Sequence, residues 1–122
     1  GIHLITNLVE KELPDHIESG ILHVFIKHSS AGLTLNENAD PTVRTDMEEF
    51  LDRNVPENQS WYNHILEGSD DMPAHIKASL VGSSVTIPLT KRRLNLGTWQ
   101  GLYLCEFRDY GGARNIVMTL LS

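Results

Sequence analysis

The run Gly20 to His28, GILHVFIKH, constrains the fold more than any other segment. It is rich in β-branched and aromatic residues and nearly continuous in apolar character, which predicts a strand buried on both faces. At a period of two, Leu22, Val24, Ile26 and His28 share one face, and Ile21, His23, Phe25 and Lys27 share the other. Such a strand needs partners, and the chain offers them on both sides. A weaker strand is expected over Ile2 to Thr6. Ser84 to Thr90 alternates Val85, Ile87 and Leu89, with Pro88 favouring an edge or a bulge. Trp99 to Arg108 alternates as well, Tyr110-Gly111-Gly112 signals a turn, and Asn115 to Leu121 returns as the last strand.

Two helices are expected between these strands. Asp40 suits a cap and Pro41 the first helical position, and Val43, Met47, Phe50 and Leu51 follow as an apolar stripe until Asn54 and Pro56. A second helix is expected from Asp71-Met72-Pro73 to Val81, with Met72, Ile76 and Leu80 inward and Gly82 as its stop. Asn58 to Ser69 has no clear period and reads as an irregular loop. The order of strands, two helices, then strands predicts one α+β domain over residues 1–122. Its form would be an antiparallel or mixed β-sandwich with the helices grouped on one side.

A length of 122 residues fits a single domain. Sixteen acidic residues against ten Lys and Arg leave a net charge of −6, which argues against a nucleic-acid partner. One cysteine, Cys105, excludes an intrachain disulfide and a Cys-rich zinc motif. No stretch approaches the ~20 apolar residues of a membrane span. The first residues lack a signal-peptide pattern, and the expected location is a reducing cytoplasm.

Three segments carry candidate chemistry. The first is His28 to Asp40, HSSAGLTLNENAD, where Glu37 and Asn38 follow a run of small residues; its plainer reading is a polar loop with capping side chains. The second, His64 to His75, places two imidazoles with Glu67, Asp70 and Asp71. Adjacent carboxylates repel, and a divalent cation resolves that repulsion. Imidazole with carboxylate suits Zn, Mn or Fe, whereas carboxylates with waters suit Mg. The plainer reading is that the acids complement a helix dipole and His75 is an ordinary surface residue, which explains the acids but not the pairing of two histidines with them. A metal site of His28, His64 and His75 is the sharp expectation, because catalytic zinc takes three protein ligands and a water. The third segment is Lys91-Arg92-Arg93, a cationic run able to grip phosphate or simply to face solvent in a turn.

HSSAGLTLNENADPTVRTDM, EGSDDMPAHIK and LGTWQGLYLCEFRDYGGAR, in that order, closely resemble the YjbQ family, also called the secondary thiamine-phosphate synthase family. The resemblance implies a homotrimeric α+β sandwich with sites at or near subunit interfaces. It also implies about a dozen further residues forming a first strand, missing at the front of this sequence. The matching site residues are His28, Glu37, Asn38, His64, Glu67, Asp70, Asp71 and His75, with Gln100, Glu106 and Arg108 on a later strand. The implied reaction joins hydroxymethylpyrimidine diphosphate to a thiazole phosphate and releases diphosphate. It would use Zn at the histidines or Mg at the diphosphate, with Lys91, Arg93 and Arg108 on phosphate. The expectation is therefore a metal-dependent enzyme of a small phosphorylated metabolite. Two alternatives stand beside it: a metal-dependent hydrolase of such a metabolite, and a non-catalytic, metal-stabilised trimeric binding protein.

Overall fold

A computed structural model describes residues 1–122. The elements in order are β1 (Ile2–Leu4), α1 (Thr6–Lys11), β2 (Ser19–Ile26), β3 (Ala31–Glu37), α2 (Pro41–Asn54), α3 (Asp71–Val81), β4 (Ser84–Thr90), β5 (Arg93–Leu94), β6 (Gln100–Glu106) and β7 (Ile116–Leu121). They form two antiparallel sheets, one ordered β1-β6-β3 and the other β5-β4-β2-β7. This is a mixed α+β fold with three helices.

The sheets share one core. From the four-stranded sheet come Leu22, Val24 and Ile26 of β2, Ile87 and Leu89 of β4, and Leu94 of β5; Ala31 and Leu33 of β3 and Leu102 of β6 come from the other. The run 20–28 thus sits centrally, but its second face is not buried within one chain. Ile21 is 48% exposed, Phe25 lies open beside it, and Val117 and Leu121 of neighbouring β7 share that exposure. The strand also stops at Ile26, so His28 lies in the loop that follows.

Two further expectations are corrected. The first strand ends at Leu4, and Thr6 begins a short helix whose one buried side chain, Val9, joins Ile5 in the core. That helix is held by tertiary contacts: the Thr6 hydroxyl accepts the Leu102 N–H at 2.9 Å, and the Ile5 N–H donates to the Leu102 carbonyl at 2.8 Å. Residues 31–37 form β3 rather than a loop, paired along β6 from Ala31–Glu106 to Glu37–Gln100. The two expected helices do meet, Lys77 Nζ of α3 donating to Asp52 Oδ1 of α2 at 2.6 Å, while α3 also packs on β3 and the additional helix α1 lies against β5 and β6.

Both longer helices lie where their caps put them. Asp40 Oδ1 accepts the Thr42 N–H at 2.9 Å at the start of α2, and Gly82, at φ +105°, closes α3. Their inner faces differ from the expected stripes. Phe50 of α2 is 64% exposed and Leu51 is the buried residue. In α3 the inward set is Asp71, Pro73, Ala74 and Lys77, while Leu80 is 66% exposed. Close approach explains the rotation. A Cβ on Gly32 would stand 2.8 Å from the Gly82 carbonyl oxygen, so the helix end seats directly on β3 backbone. Such a contact selects small residues such as Ala74 for the facing side, not Ile76 or Leu80.

Candidate metal centre

The first turn of α3 points Asp71 inward, where only 1% of it meets solvent. Its Oδ2 faces two imidazoles, His64 Nε2 at 2.6 Å and His75 Nε2 at 3.1 Å. His75 is the i+4 neighbour of Asp71 on the same helix face. His64 reaches in from the irregular loop ahead of α3, and the two rings lie 5.4 Å apart. One ligand atom from each of the three residues lies within 4.8 Å of the others.

The proton on His75 can be located by its partners. His75 Nδ1 lies 2.9 Å from the Ser29 carbonyl oxygen, which can only accept, so Nδ1 carries a hydrogen. In a neutral ring that leaves a lone pair on Nε2, aimed at a carboxylate oxygen. Two lone pairs do not face each other at 3.1 Å without a positive charge between them. A second proton on the ring supplies that charge; so does a metal ion. A metal-bound histidine that gives its other N–H to a backbone carbonyl is a recurrent arrangement.

The donor set fits a divalent metal. Two imidazole nitrogens and one carboxylate oxygen make a three-ligand catalytic set of the zinc type, and also suit Fe or Mn. Tetrahedral bonds of zinc length put neighbouring ligands ~3.3 Å apart; His75 Nε2 stands at 3.1 Å from Asp71 Oδ2, and His64 Nε2 at 2.6 Å would have to draw back. His64, on the loop ahead of α3, is the more exposed of the two imidazoles.

Around Asp71 runs a net of charge. Arg108 Nη1 donates to Asp71 Oδ1, Arg108 Nε to Asp70 Oδ2 at 3.1 Å, and Arg108 Nη2 to the Glu67 carbonyl at 3.0 Å. The Asp109 N–H donates to Asp70 Oδ2 at 2.8 Å. For Asp71, burial pushes the carboxyl pKa up, but the His64 hydrogen bond and the nearby His75 and Arg108 charges outweigh it and hold it below the usual range. Asp70 is held low chiefly by the Asp109 N–H. The Asp70 and Asp71 carboxylates push the Arg108 guanidinium up.

The other expected residues lie apart. His28 Nε2 accepts the Asn115 N–H at 2.7 Å, so Asp71 rather than His28 completes the His64–His75 group. His28 instead lines a neighbouring cleft of about 400 Å³ with Ser29, His75, Ser79 and Ser83. Glu67 contributes its carbonyl, not its carboxylate. Glu106 is paired with Arg114, whose Nε donates at 2.7 Å. Glu37, Asn38 and Gln100 meet at the opposite end of β3 and β6, about 20 Å along the strands from Glu106. There Glu37 accepts the Asp40 N–H at 3.1 Å, and Asn38 Nδ2 donates to the Gln100 carbonyl at 3.1 Å. Lys91 and Arg92 occupy the two-residue turn from β4 to β5, both left-handed at φ +52° and +64°. With Arg93 they leave the far end of β4, about 20 Å from where α3 delivers the chain to that strand. Arg108, expected on phosphate, is engaged by Asp70, Asp71 and Glu67. Sequence reasoning missed the Ser29 carbonyl altogether, since a peptide oxygen carries no residue signature.

Comparison with known proteins follows the same outline. A family model described as UPF0047 protein YjbQ-like matches residues 1–122. UPF0047 protein YjbQ of Escherichia coli O157:H7 is 51% identical over 122 residues, covering 98% of this chain and 88% of that protein. UPF0047 protein YugU of Bacillus subtilis is 43% identical over 104 residues, covering 84% of this chain and 76% of that protein. Among solved structures, the conserved hypothetical protein TT1486 from Thermus thermophilus has a TM-score of 0.90 at 37% identity, over 99% of this chain and 91% of its own. An uncharacterized YjbQ/UPF0047 family protein from Clostridium acetobutylicum has a TM-score of 0.87 at 41% identity, with the same coverage of 99% and 91%.

Proposed function

The chain belongs to the UPF0047 YjbQ-like family, and from that membership and the His64–Asp71–His75 cluster we propose a metal-dependent enzyme of a small phosphorylated metabolite. The observation that carries the reading is the convergence of His64 Nε2 and His75 Nε2 on the buried Asp71 Oδ2, with the other nitrogen of the His75 ring held by the Ser29 carbonyl. A divalent ion there supplies Lewis acidity to a phosphoryl oxygen or to water. The residues around it orient the ligands: the Ser29 carbonyl fixes the His75 ring, and Arg108 fixes Asp71. The reaction class we carry forward is the thiamine-phosphate synthase type, as a secondary activity. Its direct rival is hydrolysis of a phosphate ester, favoured by the two-imidazole, one-carboxylate donor set.

The homotrimer belongs to this proposal. Ile21, Phe25, Val117 and Leu121 form an uncovered apolar stripe on the outer face of β2 and β7, a surface that a second copy would bury. Lys91 and Arg93 stand too far along β4 to serve the centre of their own chain, so in a trimer they would serve a neighbour's.

Metal content tests the centre. Purified protein is expected to hold about one divalent ion per chain, by analogy with single catalytic zinc sites. His64→Ala and His75→Ala should lose it, and His28→Ala should keep it. Normal metal in both His64 and His75 variants would falsify the centre. Product analysis with the two thiamine precursors, run beside a panel of phosphate esters, separates synthase from hydrolase; no turnover of either would leave the binding-protein reading.

A further inference from the structure

Asp71 spends its two oxygens differently. Oδ2 faces both imidazoles, while Oδ1 is taken by Arg108 Nη1. Arg108 cannot turn away, because its planar guanidinium is anchored on two more sides, by Asp70 Oδ2 at Nε and by the Glu67 carbonyl at Nη2. Asp70 is itself pinned by the Asp109 N–H. A guanidinium presents its donors in a rigid fork, so the two anchors Asp70 and Glu67 set the plane of the group and the position of Oδ1 with it. A free aspartate carboxylate rotates about its terminal bond and offers both oxygens to a cation.

We infer that Arg108 is the positioning residue of the centre: it keeps Asp71 a one-oxygen ligand, so that two imidazoles and a single carboxylate oxygen face the ion and the remaining positions stay open for substrate. The inference rests on the metal reading of the same cluster. It also reassigns Arg108, which has three directions committed to protein partners and does not serve as a phosphate clamp. The acidic pair Asp70–Asp71 then has a purpose beyond the helix dipole. One acid binds the ion, and the other holds the arginine that aligns the first.

Cobalt tests this, because Co²⁺ takes zinc-type sites and its visible absorption weakens as coordination number rises. Folded wild type, Arg108→Met, Arg108→Lys and Asp70→Asn are titrated with Co²⁺, reading affinity and visible spectrum, with thermal melts as the folding control. Arg108→Met is expected to lose roughly 10- to 100-fold in affinity, the usual cost of removing an outer partner of a ligand, and to absorb more weakly as both Asp71 oxygens reach the ion. Arg108→Lys keeps the charge without the fork and should resemble Arg108→Met. Asp70→Asn should shift both readouts in the same direction to a smaller extent. Wild-type affinity and spectrum in Arg108→Met, or in Arg108→Lys, overturn the inference while leaving the centre standing. If Arg108→Met does not fold, Asp70→Asn decides by the same criterion. Failure of wild type to take up Co²⁺ overturns the metal reading and this inference with it.

Discussion

At the scale of single residues, polar neighbours decide what each group can do. His28 and His75 both lie beside the Ser29 segment, yet a backbone N–H occupies one and a backbone carbonyl the other. The first therefore presents a filled lone pair and the second a free one, and only the second is equipped to join a cation site. Cys105 shows the same control by environment in an apolar place. It is fully buried on β6, and burial pushes its thiol from near 9 up to about 11. The native thiol is raised, so the stability it contributes is intact below pH 9 and is lost as pH climbs towards 11. Native protein at pH 8 should accordingly resist iodoacetamide until denaturant opens the fold, measured as mass gain against time; rapid labelling without denaturant would contradict the burial of Cys105.

Among elements, the contact that matters most for the centre is α3 against β3. Gly32 admits the Gly82 carbonyl, and the Leu33 N–H donates to that same oxygen at 3.0 Å. Gly32→Ala should push the helix end outward and cost about 1–3 kcal/mol, the range for overpacking a tight contact, read as a lowered denaturant midpoint at unchanged m. Because His75 rides on α3 and Ser29 precedes β3, metal affinity should fall with it. Much of this level was legible in the chain. Asp40-Pro41 and Gly82 are end signals that act within a few residues, so α2 and α3 begin and end where local chemistry says. β3 was illegible because five of the seven residues of AGLTLNE are small or polar, and its strand character comes from pairing with β6, more than sixty residues later. The site divides in the same way. His64, Asp71 and His75 fall in one twelve-residue segment and were visible as a group, whereas Arg108 joins them from another sheet strand's end. His28 stands outside that group because β2 stops two residues before it and its Nε2 takes the Asn115 N–H.

For the whole molecule, charge and apolar surface lie in separate places. Acids and histidines gather where α3 meets the end of β6, the cationic turn leaves the far end of β4, and the apolar stripe covers the outer face of β2 and β7. No helix is long and apolar enough to cross a membrane. Light scattering should give three times the 13.7 kDa of one chain, and Phe25→Lys should reduce it to the single-chain mass. A chelator should leave the assembly intact if apolar burial holds it together. Dissociation by chelator, with no turnover, would instead favour a metal that only joins subunits. The Ser29 carbonyl bears on how such a centre is inherited. Its contact with His75 is made by a peptide group, which every residue type carries. Descendants of this chain can exchange the side chain at position 29 and keep the contact. What they must preserve is the course of the backbone between two strands, so the setting of the His75 ring is transmitted as a path and not as a letter.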